Sequence, residues 1–212
     1  MTKPVSTSKS QKPKQEFVYF IDSRWSGFGA GIDCINSKEI FPGPNKTFMA
    51  VPLDMQPDGI NPMVGIPVMQ FEGRAQKYHE DFEVVGGVWV LSPPVREFFE
   101  GIDAGAFTFR ECKTQYPDGS PAPPRSLVVV KRVIDAFDRE RSEFRINPYD
   151  PKQEVAAVSS LNENYFKKAV IGDFHFFVPA KTTTNAIVSQ AVKDEFKKQG
   201  WKGADFSKAF LS

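Results

Sequence analysis

Short β-favouring runs alternate with a few helical stripes along the chain, and their order predicts the fold class. Residues 16–21, EFVYFI, hold aromatic and β-branched side chains over one strand length. Residues 82–91, FEVVGGVWVL, read as two short strands or as one strand bent at Gly86–Gly87. The period then changes. Val95, Phe98, Phe99 and Ile102 recur at i, i+3, i+4 and i+7, which is one face of a helix. Ser92 stands at the expected N-cap, where its hydroxyl accepts from a free first-turn amide, and Pro93 follows where no amide is needed. AFTFREC (106–112) returns to strand. LVVVKRVIDAF (127–137) also fits a helix, but three consecutive valines favour a strand. DRERSEFRINPYDPKQ (138–153) reads as a charged turn region. VAAVS (155–159), DFHFFVPA (173–180) and GADFSKAF (203–210) add strands.

Part of this pattern occurs twice. At an offset of 97 residues Ser92 falls on Ser189, Val95 on Val192, Phe99 on Phe196 and Phe109 on Phe206. Arg96 and Glu97 meet Lys193 and Asp194, and Gly200 is placed to end the second helix. The shared positions are those of capping and core packing. The expected class is therefore α+β: two related strand–capped-helix–strand units on a largely antiparallel sheet.

Proline punctuates residues 35–70 at Pro42, Pro44, Pro52, Pro57, Pro62 and Pro67, which excludes long helices there. TQYPDGSPAPPRS (114–126) has the composition of a linker. The expected organisation is a disordered lead (1–15), an N-terminal α+β half (16–113), that linker, and a C-terminal module (127–212).

Composition narrows the function classes. The 212 residues are 41% hydrophobic with 20 phenylalanines, enough for a core without staples. A formal net charge of +1 argues against a nucleic-acid or anionic-membrane partner bound through a global field. Cys34 and Cys112 make no disulfide framework. Residues 1–16 contain no apolar signal-peptide core, and no run reaches membrane-spanning length. A cytoplasmic protein without cofactors is expected.

The search for chemistry ends mostly in structural readings. His79, Glu80 and Asp81 are the best candidates for a small metal- or acid/base-dependent hydrolase, but neither they nor His175 fit a zinc spacing. His175 reads as an ordinary strand histidine. GFGAGI (27–32) lacks the third glycine of a dinucleotide loop. The loop aromatics Trp25 and Phe28 are either packed lids or partner anchors, with Arg24 beside them. Loop aromatics alone would also suit a carbohydrate- or peptide-binding module. Asp138, Arg139, Glu140 and Arg141, in DRERSE (138–143), are candidates for pairing with a partner's charges or a merely solvated turn. No catalytic residue and no metal ligand is assigned.

The second half resembles a known family. LVVVKRVIDAFDRERSEF, HFFVPA and AIVSQAVKDEFKKQGWKGADF are similar to the C-terminal module of a bacterial immunity family of polymorphic-toxin systems, of the type first noted in myxobacteria. The resemblance rests on Asp135, Ala136, Asp138 and Ser142, then Phe177 and Pro179. It continues through Val188, Ser189, Val192, Lys193, Phe196, Gly200, Gly203 and Phe206. Trp201 departs from it, standing where a smaller aliphatic residue is usual. The resemblance implies a non-enzymatic cytoplasmic inhibitor whose partner is the C-terminal domain of a cognate toxin deployed between competing bacteria through a secretion system. It would block that toxin's active site or substrate access. Arg24, Trp25, Phe28 and the 138–141 turn are the expected contact residues.

Overall fold

Ser126–Val130 is a strand with every residue buried. Leu127 and Val129 face one core while Val128 and Val130 face another. Burial on both faces replaces alternation with a continuous apolar run, which is why three valines stand in a row. The computed structural model describes residues 16–23, 31–40, 64–74, 79–85, 88–147, 150–156, 163–180 and 186–212. The expected lead, the loop with Arg24, Trp25 and Phe28, the prolines from Pro42 to Pro62, and Gly86–Gly87 lie outside these residues.

The first part of the chain gives β1 (Phe17–Ser23), β2 (Ile32–Cys34), α1 (Ser37–Ile40) and β3 (Val68–Phe71). There follow β4 (Phe82–Val85), β5 (Val88–Leu91), α2 (Pro93–Asp103), β6 (Phe107–Glu111) and β7 (Lys113–Gln115). The second part gives β8 (Ser126–Val130), β9 (Val133–Ile134), β10 (Phe144–Asn147), β11 (Asp150–Ala156) and β12 (Tyr165–Phe166). It closes with α3 (Lys168–Ile171), β13 (Phe176–Pro179), β14 (Ile187–Ser189), α4 (Gln190–Gln199) and β15 (Ala204–Leu211). The fold is α+β with mostly antiparallel sheets, as the pattern predicts; β3–β7, β12–β15 and β9–β13 are short parallel pairs.

The duplication reaches much further than the capped helices. One sheet has the order β4-β5-β8-β6, and the other contains β13-β14-β1-β15. Hairpin, helix and returning strand thus match hairpin, helix and returning strand. The backbone bond Lys113 N to Pro67 O recurs as Phe210 N to Asn164 O, and Ile35 N to Val68 O recurs as Asp138 N to Tyr165 O. In each sheet the strand inserted before the returning one comes from the other half. β8 closes the first-half sheet, and β1 closes the second-half sheet. The chain is two copies of one unit with their leading strands exchanged.

A shared central core forms where the copies meet. Val95 and Phe99 of α2 pack there with Val192 and Phe196 of α4, and the rings of Phe99 and Phe196 lie 6.2 Å apart. Each copy also has an outer core. The first-half core lies between its sheet and β2-β3-β7, and the second-half core includes Phe137, Phe166 and Ile171. The 114–126 segment is packed against the first-half core: Tyr116 is buried there, and Arg74 stacks on its ring at 4.1 Å while pairing with Asp118.

Two sequence readings need correction. Ser92 and Ser189 occupy the N-cap positions with extended backbone, but neither hydroxyl bonds to its helix. Ser92 Oγ donates to Asp81 Oδ1 at 2.9 Å, and Ser189 Oγ pairs with His175 Nδ1 at 2.8 Å. Each hydroxyl is instead turned toward the residue just before the adjoining strand, a carboxylate in one copy and an imidazole in the other, and away from its helix amides. The expected charged turn region likewise contains β10 and β11, whose alternation is confined to Phe144, Arg145 and Ile146 in β10 and is too short to stand out among the charged residues around it. Ser189→Ala should cost about 1 kcal/mol, and the loss should act through His175. A double-mutant cycle with His175→Ala checks this: losses that simply add would place the hydroxyl's role elsewhere.

Candidate functional site

The repeated frame spends most of its special residues on itself, so the surfaces that differ between the copies are where candidate residues are sought. The turn after Phe137 is one of them. Asp138 is 9% exposed, its carbonyl accepts from the Arg141 and Ser142 amides, and its carboxylate accepts from the Glu140 amide. Ser142 Oγ both accepts from Tyr165 N and donates to Tyr165 O, each at 3.0 Å. Asp138 and Ser142 therefore shape the turn and fasten it to β12.

The other turn residues point outward. Arg139 pairs with Glu154 on β11 and lies over the Phe144 ring at 4.6 Å. Arg141 lies over the Tyr165 ring at 4.0 Å, and the Tyr165 hydroxyl donates to Glu163. Glu140 is exposed. Each guanidinium is ordered by a flat ring while the residue stays exposed to solvent. This lowers the entropy lost when a partner engages it. The hairpin β10–β11 rises directly from this turn as a separate two-stranded sheet, anchored through Phe144 and Ala156 to the second-half core.

The residues considered for hydrolysis are tied into the frame, His79 and Asp81 through their side chains and Glu80 through its backbone carbonyl. The His79 ring sits 4.7 Å from Phe71 and 5.8 Å from Tyr116, with Nε2 against Gly73 O at 3.1 Å. Glu80 O accepts from Arg125 Nη2 at 3.0 Å. Asp81 accepts from Ser92 Oγ and from Lys202 N. Among the described residues no group of three His, Cys, Asp or Glu side chains could hold a metal ion. His175 lies just before β13 and is taken up by Ser189.

The sequence reading missed the charged groups buried deepest among the described residues. Glu83 is 4% exposed and Arg125 5%, both in the first-half core. Burial pushes the Glu83 carboxyl up to about 7, against the pull of Arg125. No local motif marks either residue, because Arg125 stands in a proline-rich run and Glu83 in an alternating strand.

The model of the immunity protein family Imm11 matches residues 7–210, nearly the whole chain. The chain belongs to Imm11. Membership brings the role of an immunity protein, the neutralisation of a toxin, and it extends across both copies of the duplicated unit rather than the second alone. The positions that carry the resemblance in this Imm11 chain prove to be frame: Ala136 and Val188 are fully buried, Lys193 Nζ lies 3.9 Å from the Tyr19 ring, and Gly200 caps α4. No curated protein matches the chain. No helix among the described residues is long and apolar enough to cross a membrane.

Proposed function

We propose that this Imm11 protein binds the C-terminal domain of a cognate toxin and blocks its active site or substrate access, without catalysis of its own. It reads the toxin through the 138–143 turn and the β10–β11 hairpin. The observation that supports this surface is the pair of ring-stacked arginines, Arg139 and Arg141, held outward at the root of an element that stands apart from the main sheets. Arginine is among the residue types that most often dominate interface energy. Arg24, Trp25 and Phe28 form a second contact in this proposal, and inhibition takes place in the cytoplasm of the producing cell with no nucleic acid or membrane involved.

The test is calorimetry against the toxin domain encoded beside this protein's gene. Arg139→Ala should weaken binding at least roughly tenfold, about 1.4 kcal/mol, with no fall in melting temperature. Trp25→Ala should do the same. Two folded variants that bind like the unaltered protein would move the interface off both segments.

A further inference from the structure

The duplication supplies an internal control for every buried residue. β4 pairs with β5 as β13 pairs with β14: Phe82 opposes Leu91 where Phe176 opposes Val188, and Glu83 opposes Val90 where Phe177 opposes Ile187. Glu83 therefore occupies the place of Phe177. Val18 opposes Ser189 and Ala209 in the second copy. Continued by one residue, the β5–β8–β6 register sets Arg125 opposite Ser92 and Cys112, so Arg125 stands for Val18 and Cys112 for Ala209. One copy fills this spot with Phe177, Val18 and Ala209, all buried in a plain apolar core. The other fills it with a carboxyl, a guanidinium and a thiol.

The frame does not need those polar groups, and they are imperfectly served. Glu83 Oε1 and Arg125 Nε are buried without a hydrogen-bond partner. Arg125 gives Nη1 to Pro124 O and Nη2 to Glu80 O, and its guanidinium lies 5.1 Å from the Phe71 ring centre. Cys112 Sγ donates to Arg125 O at 3.0 Å. An unpartnered carboxylate at this depth is costly when charged and tolerable when neutral.

We propose that Glu83 and Arg125 form a proton-operated switch in the first-half core. Protonated Glu83 keeps the segment 79–83 closed over Arg125, and ionised Glu83 opens that segment to water. The charged and titratable groups facing the pair come from every neighbouring element. Glu72 follows β3, Glu80 and Asp81 precede β4, Cys112 follows β6, and Tyr116 lies in the loop after β7. His79 adjoins Tyr116. Glu80 and Glu72 add to the cost of charging Glu83, and Arg125 opposes it.

The direction follows from the raised carboxyl. The closed form binds the Glu83 proton more tightly than the open form. Its advantage is complete below the ordinary carboxylate range and is lost as pH rises through about 7. Cys112, partly buried and bonded through Sγ to Arg125 O, reports a change at that residue, and burial pushes its thiol up to about 12.

Reaction of Cys112 with 4,4′-dithiodipyridine, read by mass spectrometry on its peptide, tests the switch in the full-length protein. Glu83→Gln mimics the neutral carboxyl. The unaltered protein should react faster than this variant by about tenfold at pH 5.5 and by a few hundredfold at pH 8. Should Glu83→Gln not fold, Glu83→Phe with Arg125→Val copies the other half and supplies the pH-independent reference. A ratio that stays the same between pH 5.5 and 8, or Cys112 equally protected in both proteins at pH 8, overturns the proposal.

Discussion

Asp103→Ala is expected to lower the unfolding free energy by about 3–5 kcal/mol, because its carboxylate receives four donors from the opposite copy's side of the molecule. Arg132 gives Nη1 at 2.6 Å and Nη2 at 2.9 Å, and the His175 and Phe176 amides give 3.0 and 3.2 Å. The side chain is 11% exposed and that of Arg132 17%, so water replaces little of what is lost. Burial alone would raise the Asp103 carboxyl, but the bonds from Arg132 and the two amides hold it below the usual carboxylate range. Its contribution is therefore present at neutral pH and lost as pH falls through that lowered range. Urea melts at pH 7 and pH 3 check both statements. A variant as stable as the unaltered protein at pH 7 would show that α2 and β13 are joined by packing alone.

Gly203→Ala should cost roughly 3 kcal/mol or more, and the comparison with Gly200→Ala isolates the reason. A Cβ at Gly203 would stand 2.0 Å from Phe82 O and 2.8 Å from Glu80 Cβ, on a backbone with φ +96°. β4 would have to move away from the α4–β15 connection, breaking the bonds that Asp81 N and Phe82 N give to Lys202 O. Gly200 also has positive φ, +71°, but open space where the Cβ would go, so only the conformational cost of about 1 kcal/mol applies. Equal losses for the two variants in denaturant melts would rule out the close approach as the cause.

The sequence announced the duplication only where both copies kept the same job. Phe99 and Phe196, or Val95 and Val192, fill one shared core, so they could be matched at a single offset. Elsewhere the copies differ in loop length, so Asp81 answers to His175 at a different spacing, and nothing in residue type pairs Glu83 with Phe177. The caps were legible as positions but not as bonds, since the partners of Ser92 and Ser189 lie just before a neighbouring strand. The charges of the 138–143 turn were legible too. The rings of Phe144 and Tyr165 that hold its arginines were not, because stacking depends on where β10 and β12 return. Arg24, Trp25 and Phe28 remain known from the sequence alone.

The exchange of leading strands also sets an order of events during synthesis. β1 leaves the ribosome well before both its neighbours, β14 and β15, which follow about 170–190 residues later. At about 5–20 residues per second it waits on the order of ten seconds or more as an apolar segment without a sheet. The first-half sheet waits only for β8, so it can close while the second half is still being made. A cell relying on this protein is thus guarded by a fold that finishes late, and chaperone binding to the nascent β1 is where that delay should be felt.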